Sequence, residues 1–261
     1  MSRRAFIHGL GAAILFAGSA ASAQAQPPGP GKPPPGSPLS KLFGGREPGG
    51  PPVARYAAGD LEFILDRSGA QPLIQFRGST EIVALTRSVG PRNDEIFKND
   101  IGEQVLRLSG LGGGGTIYPP DRPQGVPVSF VQVVVTPIRL PVVPGGVELG
   151  VRAQQASRSI SNALQRAVIV DIADYRPDAW SLIADAMNLA VKAIEINKER
   201  LRTDPRLSHI ERVLIVVGDR PGIVINYDTI QITVVPLKGP AGRPSSALIA
   251  LSLMRQVMGG N

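Results

Sequence analysis

Apolar residues recur along this chain with two different periods. Between residues 56 and 119 they come in short runs. Leu61-Glu62-Phe63-Ile64-Leu65 ends at a Ser68-Gly69 turn, Leu73-Ile74-Gln75-Phe76 follows, and a third run over 81–89 stops at Gly90-Pro91-Arg92-Asn93-Asp94. Short runs rich in β-branched and aromatic residues, closed by Gly, Pro, Asn or Asp, predict strands. Residues 95–98 and 103–108 flank Asn99-Asp100-Ile101-Gly102, a hairpin signal. Turns spaced roughly 8–12 residues apart predict a small antiparallel sheet or partly open barrel. The stretch 126–135 is β-branched but lies among Pro127, Pro137, Pro141 and Pro144. Proline has no amide donor for a ladder, so this stretch is expected as an edge strand or an extended crossing.

The second half changes to a helical period. Ile160, Leu164, Ala167 and Val168 fall on one face, and Leu182, Ala186, Leu189 and Ala193 on another. The second of these helices has Pro177 in its first turn and Lys192, Lys198 and Arg200 toward its end, where cations meet the negative pole of the helix. Strands are expected at 213–217, 223–225 and 230–235, joined by Gly218-Asp219-Arg220-Pro221-Gly222 and Asn226-Tyr227-Asp228. A last helix over 245–258 carries Leu248, Leu251 and Met254. The fold class is therefore α+β. An N-terminal antiparallel β-rich half (55–145), a small sheet or partly open barrel, is followed by helix, helix, three-strand meander and helix (146–261). Whether the halves form one domain is left open.

Residues 1–25 read as a signal peptide. Ser2-Arg3-Arg4-Ala5-Phe6-Ile7 precedes a weakly apolar run over 9–21, and Ala21-Ser22-Ala23 or Ala23-Gln24-Ala25 supplies small residues around a cleavage point. The run is shorter than the ~20 apolar residues of a spanning helix, so no transmembrane helix is expected in the mature chain, an uncleaved anchor being the alternative. The first residues resemble the twin-arginine signal, which implies folding before export; an ordinary secretory signal with two arginines is the other reading. The expected address is the periplasm or the exterior. Residues 26–54 are dominated by Pro and Gly and are expected to be a disordered linker. Leu39, Leu42 and Phe43 form one apolar island there, a docking motif or an incidental one.

The chain carries 28 Lys and Arg against 21 Asp and Glu, a net charge of +7. Arg3 and Arg4 precede residue 26 and no acidic residue does, which leaves an excess of +5. That excess is scattered, without a basic stripe interleaved with aromatics, so nucleic acid is not expected as a partner. Weak contact with anionic envelope surfaces is. There is no cysteine, which excludes disulfides, thiolate zinc sites and thiol catalysis. Aromatics make up only 5% of the chain, so the core must come mostly from Val, Ile, Leu and Ala.

Candidate chemistry is thin. Gly110-Leu111-Gly112-Gly113-Gly114-Gly115 satisfies the spacing of a dinucleotide loop, but Thr116-Ile117-Tyr118-Pro119-Pro120 cannot open the helix such a site needs. A flexible loop is the better reading. His209, the one histidine after residue 25, sits in a polar turn with no Gly-x-Ser-x-Gly elbow anywhere in the chain. It reads as a surface histidine. One His and no His-Glu-x-x-His exclude a zinc protease. Asp60, Glu62, Asp66, Asp94, Glu95, Asp100 and Glu103 cluster in the β half, where a pair could act as acid and base or bind calcium. Asp66, Asp94 and Asp100 stand beside turn residues, and bonding to their own turns is the favoured role. Trp180 with Tyr175 could line a cleft; a core role is favoured.

Several segments resemble an uncharacterised family of exported alphaproteobacterial proteins catalogued as a domain of unknown function. They are Phe63-Ile64-Leu65-Asp66-Arg67-Ser68-Gly69, Phe76 with Gly78-Ser79, Gly90-Pro91-Arg92 with Asp94, Asn99-Asp100 with Gly102, Val105-Leu106-Arg107, and Arg220-Pro221-Gly222 with the strand pair after it. The likeness spans residues 56–236 and departs at Asn93, where Gly is expected. It brings no activity. No catalytic, cofactor-binding or metal-binding residue is assigned, and no cofactor is expected. The leading reading is an exported, non-enzymatic binding or envelope-support protein. The alternative is a hydrolase-like enzyme using carboxylates or His209 in a cleft between the two halves.

Overall fold

The alternating pattern of the first half folds into nine antiparallel strands among the described residues: β1 (Val53–Ala58), β2 (Leu61–Asp66), β3 (Leu73–Phe76), β4 (Ile82–Ala84), β5 (Thr86–Val89), β6 (Glu95–Lys98), β7 (Gln104–Leu108), β8 (Gly115–Ile117) and β9 (Val126–Val133). The computed structural model describes residues 50–258 apart from 112, 113 and 135. The strands form one sheet in the order β4-β3-β2-β1-β9-β8-β7-β6-β5. Its two outer strands, β4 and β5, are separated in sequence by Leu85 alone, which is fully buried, so the sheet nearly closes on itself. Inward positions are filled by Phe63, Leu65, Ile74, Leu85, Phe97, Leu106 and Ile117.

Register in this sheet is pinned by a row of four aromatics on adjacent strands. Phe130 lies opposite Tyr56, Tyr56 opposite Phe63, and Phe63 opposite Phe76. The ring centroids are 6.0, 5.5 and 5.7 Å apart in that order. A slip of one residue would send the row to the opposite face, which is why cross-strand aromatic pairs hold a register. The region around Pro127 is an extended crossing: Val126–Val128 pair with β8, and 129–133 pair with β1.

The second half contains α1 (Gly146–Leu164), β10 (Ile169–Ile172), α2 (Trp180–Thr203), β11 (Arg212–Val217), β12 (Gly222–Asn226), β13 (Thr229–Val234) and α3 (Ser246–Met258). A 3-10 turn at Pro177–Ala179 leads into α2. The apolar faces of α1 and α2 pack with the strands into one core that includes Leu149, Ile160, Ile183, Met187, Ile215 and Ile232.

Three expectations need correction. Val53 and Ala54, assigned to the linker, begin β1 and are buried, with 3% and 1% of their surfaces exposed. Arg67 fixes their approach, its amide donating to the Pro52 carbonyl and its guanidinium to Pro51. Residues 26–49 of that expected linker lie outside the described residues, as do residues 1–25, where the signal peptide is expected. Second, Ala167 and Val168 do not continue α1. The helix ends at Leu164 with Gln165 left-handed, and an unpredicted strand, β10, follows. Its few apolar residues continued the helical spacing and hid the change of period. Third, the three later strands are not a meander. β11 lies between β10 and β13, parallel to both, while β12 forms the edge in the order β10-β11-β13-β12. The apolar run Val213–Val217 suits a strand flanked on both sides, which a parallel arrangement provides.

Candidate functional site

The glycine-rich segment is a hairpin connection between β7 and β8, and its first glycine has a structural reason. Arg92 and Asn93 both adopt the left-handed region, at φ +58° and +61°. Gly110 packs on their carbonyls, where an added Cβ would stand 2.3 Å from the Asn93 oxygen. Asp94 completes the arrangement, accepting from the Gly110 amide at 3.0 Å and twice from Arg107. Asn is among the non-glycine residues that tolerate φ near +60° best, which accounts for Asn93 at a position where Gly is expected. Gly110→Ala is expected to destabilise the fold by about 1–3 kcal/mol, because the new methyl meets backbone on two residues. A thermal midpoint within a degree of the original would contradict that packing.

The carboxylates divide by partner. Asp66 accepts from its own turn, at Ser68, and also from the Ile138 amide at 2.8 Å, tying the chain between the halves to β2. Glu95 faces inward at one end of the strands. There Arg67 reaches its Oε2 at 2.6 Å and Arg87 its Oε1 at 2.5 Å. Asp60 pairs with Arg122 and Glu62 with Arg77 at the surface. Glu103 bonds only across its hairpin, to Asn99. Among the described residues, no three His, Asp or Glu side chains converge as a metal site requires.

The richest cluster lies where the two halves meet, and most of it was not on the list of candidates. Glu81 comes from the residue just before β4 and Asp100 from the β6–β7 turn; Asp185 and Lys192 from α2; Arg243 and Ser245 from the chain entering α3, and Ser246 from its first turn. Asp100 accepts from the Ser245 amide and hydroxyl at 2.7 and 2.6 Å. Glu81 accepts from the Ser246 amide and hydroxyl at 3.0 and 2.7 Å, and from Lys192 at 2.7 Å. Two carboxylates from connections of the β half therefore cap the N-terminus of α3, where free amides and the helix dipole favour negative charge. Arg243, only 3% exposed, donates from Nε to Asp185 at 2.5 Å and from Nη2 to the Ile82 carbonyl at 2.8 Å. The expected cleft between the halves is this closed polar joint. Asp100, expected to bond its own turn, accepts from a helix 145 residues away.

His209 is not part of it. It stacks on Tyr227 with ring centroids 4.7 Å apart, in a turn that Arg166 holds by donating to the Leu201, Leu207 and Ile210 carbonyls. Trp180 packs against the core of the second half and donates to the Tyr175 carbonyl at 3.3 Å. A half-open pocket of about 480 Å³ lies over β1, β2 and β3, lined by Arg55, Glu62, Ile64, Gln75, Arg77 and Ser79.

Charge in the fold sets its response to acid. Burial pushes the Glu81 carboxyl up, but hydrogen bonds from Lys192 and Ser246 outweigh it and hold the group below its ordinary range. The Gly110 amide and then Arg107 lower Asp94, and the hydrogen bond from Arg212 lowers Asp171. A carboxylate lowered in the fold stabilises above its unfolded pKa, and that stability is lost as pH falls through the folded value. Asp185 opposes them: burial raises it against the pull of Arg243, so its contribution is present at low pH and lost as pH rises. With four lowered carboxylates, Asp60 through its bond from Arg122 being the fourth, against one raised, the thermal midpoint is expected to drop steadily between about pH 5 and about pH 2. A flat profile over that range would contradict the assignments.

The chain belongs to the family described as a domain of unknown function (DUF4908), whose model matches residues 38–253. No curated relative and no solved structure matches it. Among the described residues no helix is long and apolar enough to cross a membrane.

Proposed function

We propose that this DUF4908 protein is exported to the periplasm and works there by binding or by supporting the envelope, without catalysis. One observation carries the non-catalytic part. Each buried carboxylate among the described residues (Asp66, Glu81, Asp94, Glu95 and Asp185) already accepts a hydrogen bond or ion pair from within the fold. A general acid or base must be free to exchange a proton with a substrate, and these groups are held by their partners. The leader at residues 1–25 supports export. The excess positive charge and the open pocket beside Arg55 and Arg77 favour weak contact with anionic surfaces.

Two measurements test the reading. N-terminal sequencing of the exported protein is expected to give Gln24 or Gln26 as the first residue; a chain beginning at Met1 or Ser2 in that fraction would sink the export claim. A hydrolytic activity abolished by Glu81→Gln or His209→Ala, with the thermal midpoint retained, would overturn the non-catalytic claim.

A further inference from the structure

The half-open pocket over β1, β2 and β3 contains a cation that the fold does not use. Among the described residues, the Lys and Arg side chains that are buried or half-buried are held by carboxylates or backbone carbonyls, as Arg67, Arg166 and Arg243 are, with one exception. Arg55 is half-buried on β1, lines the pocket, and has no hydrogen bond or ion pair with a described residue. Taking a charge partly out of water without a partner costs free energy. An anion that arrives there displaces less water than it would at an exposed arginine.

The pocket around it is well fixed. Arg55, Ile64 and Gln75 lie opposite one another on the three strands and form its floor. β9 bulges beside Arg55: Arg55 faces Gln132 and Tyr56 faces Phe130, which leaves Val131 as an extra residue. Bulges of this kind re-aim neighbouring side chains and are enriched next to functional sites. The wall is the turn Arg77-Gly78-Ser79, with Gly78 supplying the left-handed residue at φ +79°. Arg77 N–H donates to the Glu62 carbonyl at 2.8 Å, Ser79 N–H to the Phe76 carbonyl at 3.0 Å and Gln75 Nε2 to the Ser79 carbonyl at 3.3 Å. The Ser79 hydroxyl accepts from the Glu81 amide at 3.1 Å and keeps its own proton to donate. Gln75 keeps its second amide N–H. Arg77 spends Nη1 on Glu62 Oε2 at 2.9 Å and keeps its other donors.

We propose that this pocket binds a singly charged phosphodiester with Arg55 as its anchor, which rests on the contact with anions proposed above and gives that contact a site. Charge selects the anion. Arg55 and Arg77 against Glu62 leave one positive charge on the lining, which matches a phosphodiester and disfavours a doubly charged phosphate beside Glu62. Donor supply points the same way. Arg55, Gln75, Arg77 and Ser79 offer more N–H and O–H groups than the two oxygens of a carboxylate can accept, whereas a phosphodiester presents its oxygens on a tetrahedron. The volume of about 480 Å³ lies in the range of small-molecule sites and leaves room over Ile64 for the organic substituents. A free small molecule and a lipid headgroup share this chemistry.

Titrating the purified, isotope-labelled protein with dimethyl phosphate, a permanent monoanion, tests the site by nuclear magnetic resonance. The Arg55 Nε–H signal and the amides of Gly78 and Ser79 are expected to move together and saturate, with a Kd on the order of 1 mM. Arg55→Gln should weaken binding by roughly tenfold or more with the thermal midpoint retained. Arg158→Gln, at an exposed arginine of α1, should leave it unchanged. Vesicles of phosphatidylglycerol separate the sources. Cosedimentation that Arg55→Gln abolishes assigns a lipid headgroup; Arg55-dependent binding of dimethyl phosphate without cosedimentation assigns a free ligand. Shifts that never saturate, or binding that Arg55→Gln leaves intact for both probes, overturn the site. Vesicle binding that persists in that case would leave the diffuse contact with anionic surfaces standing alone.

Discussion

Replacing Arg243 by methionine is expected to cost this protein about 3–5 kcal/mol of stability. Arg243 is 3% exposed, and its guanidinium is shared between a helix and a strand, with Asp185 of α2 on one side and the Ile82 carbonyl of β4 on the other. Methionine fills much of the volume but donates nothing. The Asp185 carboxylate, 10% exposed, would then be a buried charge without its counterion, and the Ile82 carbonyl would lose its donor. Removing one partner of a buried pair costs far more than the pair contributes, because the desolvation of the remaining charge is no longer offset. For a chain of this size the thermal midpoint should fall by roughly 10 °C. The double variant Arg243→Met with Asp185→Leu is the informative control. It removes both charges, so most of the loss should return. If the single variant melts within about 2 °C of the original, the joint between the halves rests on Glu81 and Asp100 instead.

Under the proposed export by a twin-arginine route, transport should collapse when Arg3 and Arg4 are both replaced by lysine. A general secretory signal is selected for hydrophobicity, and positive charge of either kind serves in its first region. The start Ser2-Arg3-Arg4-Ala5-Phe6-Ile7 and the Gly-interrupted run over 9–21 resemble a twin-arginine signal, and that resemblance is what the proposed route rests on. A guanidinium is a planar fork with five donors; an ammonium is a compact point charge. The lysine pair keeps the charge and removes only the forks. Precursor should then accumulate in the cytoplasm, with little mature protein outside it. Equal export of the two forms would assign the general route and remove the argument for folding before transport.

Much of the fold was legible because its signals are local. The strands over 61–65 and 73–76, the Asn99–Gly102 hairpin and the helices starting after Pro177 and near Ser245 each announce themselves within a dozen residues, through apolar period and turn chemistry. The class, an antiparallel β-rich half and then an α+β half, follows from their order. Asp66 shows where such reading stops. Its bond to Ser68 is a turn preference visible in the sequence, whereas its bond to Ile138 is not. The parallel placement of β11 beside β13 was missed for a similar reason. A short connection suggests a hairpin, and only the packing of an apolar strand between two others decides against it.

The candidate site lay further still from local pattern. Glu81, Asp185, Arg243, Ser245 and Ser246 are unremarkable one by one, and the bonds among them and with Ile82 join residues 58 to 165 positions apart. By itself the sequence determined the period of each segment, the turns between them and the absence of thiol chemistry, since each is a property of residue type or of neighbouring residues. Tertiary structure alone decided which carboxylates close the joint and which left-handed residues Gly110 must clear. Those outcomes depend on where distant segments come to rest, and a buried charge finds its partner only after the backbone has placed both.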